Sequence, residues 1–336
     1  MKTLRSHWFL LLVFIVVALV VVQELITWEK EKTPLVMSVA DSAWQAPSLY
    51  TDQVLSGEER KMVIYGEDLV SHTAKYLGPQ GSVLQISNGM NCQNCHLDAG
   101  TRSWGNHYGG VASTYPKFRE RSGTTENVEK RVNDCFERSL NGKPLDSGSY
   151  EMRSIVAYMK WLGKNIPKGT KPHDAGIEKL PFPDRAADPE KGRQVYTNQC
   201  QTCHRPNGEG QPNIDGIGYA TPPLWGASSY NDGAGLYRLS NFAGYVKNNM
   251  PFNQATKTHP KLTNDEAWDV AAFVNSQPRP HNDQSKDWPD ISKKPFDFPF
   301  APYADHFEER QHKYGPFQPI VDAKNNKQTA NTPNKF

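Results

Sequence analysis

Apolar residues recur at helical spacing in several segments of the chain, and this pattern predicts a mainly α-helical protein. The four clearest sets are Met62, Tyr65, Leu69 and Tyr76; Met152, Ile155, Val156, Met159 and Leu162; Leu236, Leu239, Phe242 and Val246; and Ala267, Val270, Ala271 and Val274. Asp188-Pro189, and a capping box formed by Thr263 with Glu266, predict where two of the helices begin. A further helix is expected from Glu126 to Leu140.

The periodic segments fall into two groups, separated by a stretch that is rich in Lys, Pro and Asp and lacks periodicity. We therefore predict a first domain over residues 42–165, a linker over 166–187 and a second domain over 188–279. A length of 336 residues suits two domains, each large enough to bury its own core.

Both ends of the chain differ from these domains. Basic residues precede an apolar run that can extend over 9–28, so residues 1–30 are predicted to be a signal or anchor segment. The small residues Ser38-Val39-Ala40 suit signal peptidase but lie far beyond the run, which favours a retained membrane anchor over a cleaved signal. Both alternatives export the protein to the periplasm. At the other end, aromatic residues predict a packed extended arm over 280–320, and polar composition predicts a disordered tail over 321–336.

Four of the five cysteines belong to two copies of one motif. These are Cys92-Gln93-Asn94-Cys95-His96 and Cys200-Gln201-Thr202-Cys203-His204. A single CxxC is compatible with a zinc site or a redox dithiol, but two copies completed by His in an exported chain favour c-type haem attachment. We therefore predict two covalent haems, bound through Cys92, Cys95, Cys200 and Cys203. His96 and His204 are the predicted iron ligands.

The second ligand of each iron is expected downstream of its histidine. Met250, followed by Pro251 between two predicted helices, is placed to ligate haem 2, the alternative being a core methionine. Cys135 is its counterpart for haem 1, the alternative being a buried free thiol. A thiol without a role is a liability in an oxidising compartment, which favours the ligand. His72 and His107 are better explained as surface or packed histidines.

Several arginines lie in the same stretch of sequence as Cys135. They are Arg102, Arg119, Arg121, Arg131 and Arg138. Guanidinium groups bind oxyanions in a bidentate manner, so an oxyanion substrate beside haem 1 is expected. Arg121 and Arg131 are the first candidates to contact it and Arg119 the next. For each arginine the alternative is a solvated position or a contact to a haem propionate.

Composition adds only exclusions. The formal net charge is +2, and the hydrophobic fraction is 37 % with 25 Gly and 25 Pro, which suits a loop-rich protein whose haems contribute to the core. Nothing in the charge indicates nucleic-acid binding. The sequence contains no zinc-finger spacing, no Walker loop and no Rossmann glycine pattern.

The segment around Cys135 resembles the dihaem thiosulfate dehydrogenases. The similarity is carried by Tyr115-Pro116, by Arg119 to Gly123, by Arg131 to Leu145 and by Gln311 to Phe317, and it runs from about residue 45 to about residue 320. The first domain is also similar to the haem-cysteine subunit of the Sox system. Some members of the family carry a lysine directly before the methionine ligand of haem 2. Here Asn249 occupies that position, so a lysine switch is not expected.

The resemblance implies His/Cys ligation of haem 1, His/Met ligation of haem 2, and interconversion of thiosulfate and tetrathionate. It also implies that the cysteine leaves the iron and carries a sulfur adduct. We therefore predict an oxidoreductase in which Cys135 is both ligand and nucleophile. Haem 2 would relay electrons to an external carrier such as a small cytochrome c. The alternatives are a non-catalytic electron-transfer dihaem cytochrome c and an enzyme working mainly as a tetrathionate reductase.

Overall fold

The structure is a computed structural model, which describes residues 23, 44–49, 51, 55 and 57–330, without the side chains of 327–330. The chain divides into a unit Met1–Ser42 and a unit Ala43–Phe336, and the second unit contains both predicted domains. No helix among the described residues is long and apolar enough to cross a membrane. Apart from residue 23, the predicted signal or anchor segment 1–30 lies outside the described residues.

The first domain is built mainly from helices. In chain order they are α1 (Gly57–Ser71), α2 (Thr73–Leu77), a 3-10 turn (Cys92–Asn94), α3 (Leu97–Gly100), α4 (Val111–Thr114), α5 (Val128–Arg138) and α6 (Tyr150–Leu162). A short antiparallel pair, β1 (Lys117–Arg119) and β2 (Thr124–Glu126), precedes α5. The two long helices α1 and α6 touch directly, because a Cβ at Gly66 would lie 2.0 Å from the Ser154 carbonyl oxygen.

Local sequence explains where the long helices of this domain begin and end. The Asn127 side chain accepts a hydrogen bond from Lys130 N at the start of α5, and Ser149 caps α6 through Met152 N. Helix α6 is followed by Gly163, a residue type that commonly ends helices. The apolar faces of these helices meet in a core that contains Leu69, Phe136, Met152 and Ile155.

The second domain repeats the arrangement of a helix, a haem motif, a loop and two closing helices. Its elements are α7 (Pro189–Gln199), α8 (Gln201–His204), β3 (Gln211–Pro212), β4 (Tyr219–Thr221), a 3-10 turn (Gly235–Tyr237), α9 (Leu239–Asn249) and α10 (Asn264–Ser276). The predicted caps Asp188 and Thr263 are confirmed. Helices α7 and α10 cross at Gly192, where a Cβ would lie 1.9 Å from the Asp269 carbonyl oxygen.

The predicted linker is packed along the protein. Trp104 N donates to Asp174 O at 3.1 Å, and Asn106 N donates to Gly176 O at 3.1 Å. Asp174 is fully buried beside His107, and Leu180 belongs to the core of the second domain. The linker therefore joins the two domains through contacts as well as through the chain.

The two domains also contact each other directly. Tyr245 Oη donates to Asn94 O at 2.8 Å, beside the first haem motif. Arg102 Nη2 donates to Asn253 Oδ1 at 3.0 Å, and Asn231 Nδ2 donates to Glu137 O at 2.8 Å. These bonds connect the first haem motif, the loop that follows it and α5 to α9 and its neighbouring loops in the second domain.

The C-terminal arm packs on both domains, but it is less extended than predicted. It contains a 3-10 turn (Ile291–Lys293), α11 (Glu309–Tyr314) and α12 (Gln318–Ala330). The predicted disordered tail is therefore wrong for residues 321–330, which are helical; residues 331–336 lie outside the described part. The reason is that Phe317 and Ile320 are buried in the core of the second domain and anchor the first turn of α12.

Candidate active site

The first haem motif is held by hydrogen bonds from neighbouring polar groups. Asn91 Oδ1 accepts from Ala74 N at 2.8 Å, while Asn91 N donates to Asn94 Oδ1 at 2.7 Å. Thr73 Oγ1 accepts from Cys92 N at 3.0 Å. These bonds set the conformation of the loop before any ligand is considered.

His96 is oriented as an iron ligand. Its Nδ1 donates to Asn106 O at 2.6 Å, which leaves the lone pair on Nε2 for a metal. Burial lowers the pKa of His96 to about 4, so the imidazole is neutral, as ligation requires. Tyr108 stacks on the ring with the centroids 4.4 Å apart.

A cavity of about 180 Å³, here called the haem 1 cavity, brings the predicted haem 1 ligands together. Cys92, Cys95 and His96 line it from the motif, and Cys135 lines it from α5. Among the described residues Cys135 forms no disulfide. Its sulfur is therefore available as a ligand or as a nucleophile.

Arg131 is the predicted arginine that reaches this cavity. It lies one helical turn before Cys135, and its Nη1 is 3.3 Å from the Cys135 sulfur. Charge on that sulfur is the largest of the causes that raise the pKa of Arg131 above its usual range. Tyr115, which sequence reasoning did not single out by itself, lines the same cavity.

Arg119 and Arg121 do not line the haem 1 cavity. Arg119 Nε lies 3.9 Å from Glu126 Oε2. The Arg121 guanidinium contacts two later segments of the chain. Its Nη1 donates to Gly233 O at 3.2 Å, and its Nε lies 3.8 Å from Asp287 Oδ2. Burial, together with repulsion from Arg138, lowers the pKa of Arg121 to about 10.

The two other histidines have protein partners. His72 is exposed and pairs with Asp68 at 2.7 Å. His107 is buried, stacks on Trp44 with centroids 4.4 Å apart, and has its Nε2 3.3 Å from Asp174 Oδ1. Both arrangements match the surface and packed positions that the sequence favours.

A second cavity, of about 450 Å³ and here called the haem 2 cavity, contains the other predicted ligand set. Cys200, Cys203, His204 and Met250 all line it. His204 Nδ1 donates to Pro222 O at 2.9 Å, which again leaves Nε2 for the iron. Met250 is the residue at which α9 ends.

Asn249, the residue before this methionine, points elsewhere. Its side-chain amide donates to Trp104 O at 3.1 Å and to Tyr245 O at 2.9 Å. It is almost fully buried. An amide engaged in this way does not serve as an exchangeable ligand, which agrees with the expectation that no lysine-type switch operates.

Both cavities fit a c-type haem. Each presents two thiols, a neutral oriented imidazole and a sulfur from a later segment of the chain, and the haem 2 cavity is also lined by apolar side chains such as Leu224, Phe242 and Val270. Within the described part of the chain, no group of three or more His, Cys, Asp or Glu side chains is arranged to hold a metal ion. Met90, Asn91 and Cys95 line both cavities, which places the two haem sites side by side.

Two family models match the chain. Residues 84–167 match "SoxA/TsdA, cytochrome c domain", and residues 189–278 match "Cytochrome c". The two matches fall on the two haem cavities. The protein therefore has two cytochrome c domains and two covalently attached c-type haems.

Proteins similar to this chain include several thiosulfate dehydrogenases. Thiosulfate dehydrogenases of Psychrobacter arcticus and Allochromatium vinosum are each 37 % identical, over 67 % and 58 % of this chain and over 65 % and 72 % of their own lengths. A thiosulfate dehydrogenase (TsdBA) from Marichromatium purpuratum, solved in its "as isolated" form, is similar with a TM-score of 0.64 and 31 % identity, over 71 % of this chain and 50 % of that chain.

The chain thus spans about two thirds of the first relative and half of the solved protein. A relative from Stutzerimonas stutzeri is 35 % identical and is covered over 69 % of its length. On this similarity and on the two cytochrome c domains, the chain belongs to the thiosulfate dehydrogenase family.

Proposed function

We propose that this protein interconverts thiosulfate and tetrathionate, with Cys135 as the sulfur nucleophile. The observation that supports this most directly is that Cys135, Arg131 and His96 line one cavity. A thiol beside a guanidinium is suited to an anionic sulfur substrate, because the cation attracts the oxyanion and the thiol reacts with its sulfur.

The chain's own residues would hold the two haems. Cys92, Cys95 and His96 would attach and ligate haem 1, with Cys135 as its second ligand. Cys200, Cys203 and His204 would do the same for haem 2, with Met250 as its second ligand. When bound, the haems supply one-electron redox chemistry beside Cys135 and on the route to an external electron carrier.

The chemistry of Cys135 balances in two steps. The Cys135 thiolate and the outer sulfur of one thiosulfate form a sulfur–sulfur bond and release two electrons, which leaves Cys–S–S–SO₃⁻. The outer sulfur of a second thiosulfate then attacks the outer sulfur of that bond. Tetrathionate leaves, and the Cys135 thiolate is restored. The same steps in reverse reduce tetrathionate to two thiosulfates.

Arg131 would orient the sulfonate groups during both steps. Its planar fork matches two oxygens of an oxyanion, and its 3.3 Å contact to the Cys135 sulfur brings the bound sulfur near the nucleophile. Tyr115 can contribute a hydroxyl donor in the same cavity. We assign Arg119 and Arg121 a role at longer range, in attracting the anion, because neither lines the cavity.

Electrons would leave through the second domain. The wall shared by the two cavities, Met90, Asn91 and Cys95, supports a short route between the haem sites. The external carrier is proposed to be a small cytochrome c. The reaction would take place in the periplasm, with or without a membrane anchor at residues 9–28. Recovery of the holoprotein only from the cytoplasmic fraction would contradict this location.

The test is Cys135→Ala compared with Ser139→Ala, which alters another residue that lines the same cavity. Both variants should retain two covalent haems by mass. We expect Cys135→Ala to lose turnover of thiosulfate and of tetrathionate, whereas Ser139→Ala keeps most of it. Survival of both activities in Cys135→Ala would refute the mechanism.

The rival function is electron transfer without catalysis. It predicts no covalent sulfur adduct on Cys135 and no thiolate signature in the electron paramagnetic resonance spectrum. Protein-film voltammetry with thiosulfate and with tetrathionate distinguishes the two and also reports the preferred direction. If neither thiosulfate nor tetrathionate produces a catalytic current, the rival function is favoured.

A further inference from the structure

Arg279 is a half-buried cation with incomplete hydrogen bonding in the second domain. Its Nη2 donates to Val274 O at 2.6 Å. Its Nε and Nη1 are shielded from solvent and have no hydrogen-bond partner. Among the described residues, no other arginine has shielded nitrogen atoms without a partner. A buried donor of a charged group that lacks a hydrogen bond reduces the stability of the folded state. This guanidinium is therefore expected to have an acceptor in the working protein.

The residues around Arg279 do not neutralise its charge. The guanidinium carbon lies 4.4 Å from the ring centre of Tyr230 and 5.1 Å from that of Tyr237. Burial raises the pKa of Tyr230 and of Tyr237, so both phenols stay neutral. Within the described residues, Arg279 forms no ion pair with a carboxylate. An anionic acceptor would both balance the charge of Arg279 and complete its hydrogen bonds.

The chain holds Arg279 beside the haem 2 cavity. Val274, which accepts its hydrogen bond, and Tyr230, which stacks on it, both line that cavity. Prolines flank the arginine on both sides: Pro278 O accepts from Gly226 N at 2.8 Å, and Pro280 O accepts from Asp232 N at 3.1 Å. The backbone is thus fixed on the loop that leads to Leu236, another residue of the cavity lining.

We propose that Arg279 binds a propionate of the haem attached at Cys200 and Cys203. A haem carries carboxylates at one edge. Val274 O takes one N–H of Nη2, and the other N–H of Nη2 forms a two-donor fork with the free N–H beside it, on Nε or on Nη1, which matches a carboxylate in a bidentate manner. The bond would complete the hydrogen bonding of Arg279. It would also place a positive charge near the haem 2 iron, which disfavours the oxidised, more positive state.

The experiment compares Arg279→Gln, Arg279→Lys and Arg193→Gln in the holoprotein. Arg193 is the matched control, because it is an exposed arginine of α7 in the same domain and pairs with Glu190 on the surface. Resonance Raman spectra report the propionate bending band, and spectroscopic redox titration reports the midpoint potential of each haem. Neither measurement depends on turnover of thiosulfate.

We expect the propionate band to move in both Arg279 variants and to stay in Arg193→Gln. The midpoint of haem 2 should shift downward in Arg279→Gln, while that of haem 1 stays. If Arg279→Gln does not retain haem 2, Arg279→Lys decides, because lysine keeps the charge and loses the two-donor geometry. A propionate band in Arg279→Lys that coincides with that of the unaltered protein overturns the proposal. This result is independent of whether the protein oxidises thiosulfate.

Discussion

The two haem sites are built from nearly identical motifs and differ in what faces them. The attachment sequences are CQNCH and CQTCH, and both histidines donate through Nδ1 to a backbone carbonyl. In the first domain a helix brings Cys135 and Arg131 into a cavity of about 180 Å³. In the second, Met250 directly follows α9 and lines a larger cavity of about 450 Å³.

The comparison shows where the chemistry of each site is decided. On the proposed ligation, the attachment motif determines that a haem is bound, whereas the segment that follows would give the first site a reactive thiolate and the second an inert thioether. A thiolate donates charge to iron and lowers its potential, and a thioether raises it. The proposed direction of electron flow, from the first site to the second, follows from that difference.

The largest effect is expected when the difference is removed. Cys135→Met would make the first site resemble the second, so thiosulfate turnover should fall by a factor of about 10³ or more, because the nucleophile is lost. The midpoint of haem 1 should rise, since a thioether replaces the thiolate. Steady-state assays and redox titration measure the two changes.

Met159→Leu is the control for that variant, because Met159 lines the same cavity and the exchange conserves volume. It should leave both quantities nearly unchanged. Cys135→Met with unimpaired turnover would show that the contrast between the sites has no catalytic meaning.

The arm is attached more strongly to the second domain than to the first. Asp297 is fully buried and accepts from Arg238 Nε at 2.8 Å and from Ser240 N at 3.0 Å. Asp287 binds Arg138 Nη2 at 2.8 Å, but its Oδ2 has no hydrogen-bond partner. Asp297→Asn should therefore reduce the free energy of unfolding by about 3 kcal/mol and Asp287→Asn by about 1 kcal/mol. Denaturant unfolding of the holoprotein followed by circular dichroism measures both, and equal losses would contradict this asymmetry.

The ion pair between Asp297 and Arg238 predicts a pH dependence of the free energy of unfolding. Burial acts to raise the pKa of Asp297, but Arg238 and Ser240 outweigh it and the pKa is lowered from 3.8. The unfolded chain therefore takes up this proton first. Stability from the pair is complete well above pH 3.8 and is lost as the pH falls through the lower pKa of the folded state. Asp297→Asn should lack this part of the acid dependence, and an identical acid-unfolding curve would contradict the assignment.

The arginines separate into one that reaches the first cavity and two that do not. Arg131→Lys should raise the KM for thiosulfate by roughly ten- to a hundredfold, because the two-donor fork is lost. Arg119→Lys should change KM by less than about threefold, since Arg119 lies outside the cavity lining and lysine keeps its positive charge beside Glu126. Steady-state kinetics at fixed ionic strength measures both. Similar KM values for the two variants would remove the distinction.

The smallest effect is expected at the second site. Met250→Leu keeps the volume and removes the sulfur, so the midpoint of haem 2 should fall by about 60 mV or more, a tenfold change in its electron equilibrium. Electron delivery to an external acceptor should slow, while adduct formation on Cys135 persists. Redox titration and mass spectrometry of the thiosulfate-treated protein separate these outcomes, and an unchanged haem 2 midpoint would argue that Met250 is a core residue.

Signals that lie close together in the chain were enough to predict much of this protein. The helix caps at Asp188 and Thr263 and the apolar faces of the long helices are local patterns, and the structure confirms them. The two haem motifs are local patterns as well, and the matches to two cytochrome c family models agree with them. The placement of Cys135 in the same cavity as His96 also agrees with the order of elements along the sequence.

Contacts between distant residues were decided only by the tertiary structure. The sequence could not tell that Arg121 is occupied by Gly233 and Asp287, or that Arg131 alone among the predicted catalytic arginines lines the cavity. Likewise, α12 forms because Phe317 and Ile320 find a core built from another domain. Periodicity and motifs report what a segment can form by itself, whereas the partner of a charged or apolar side chain depends on packing between segments.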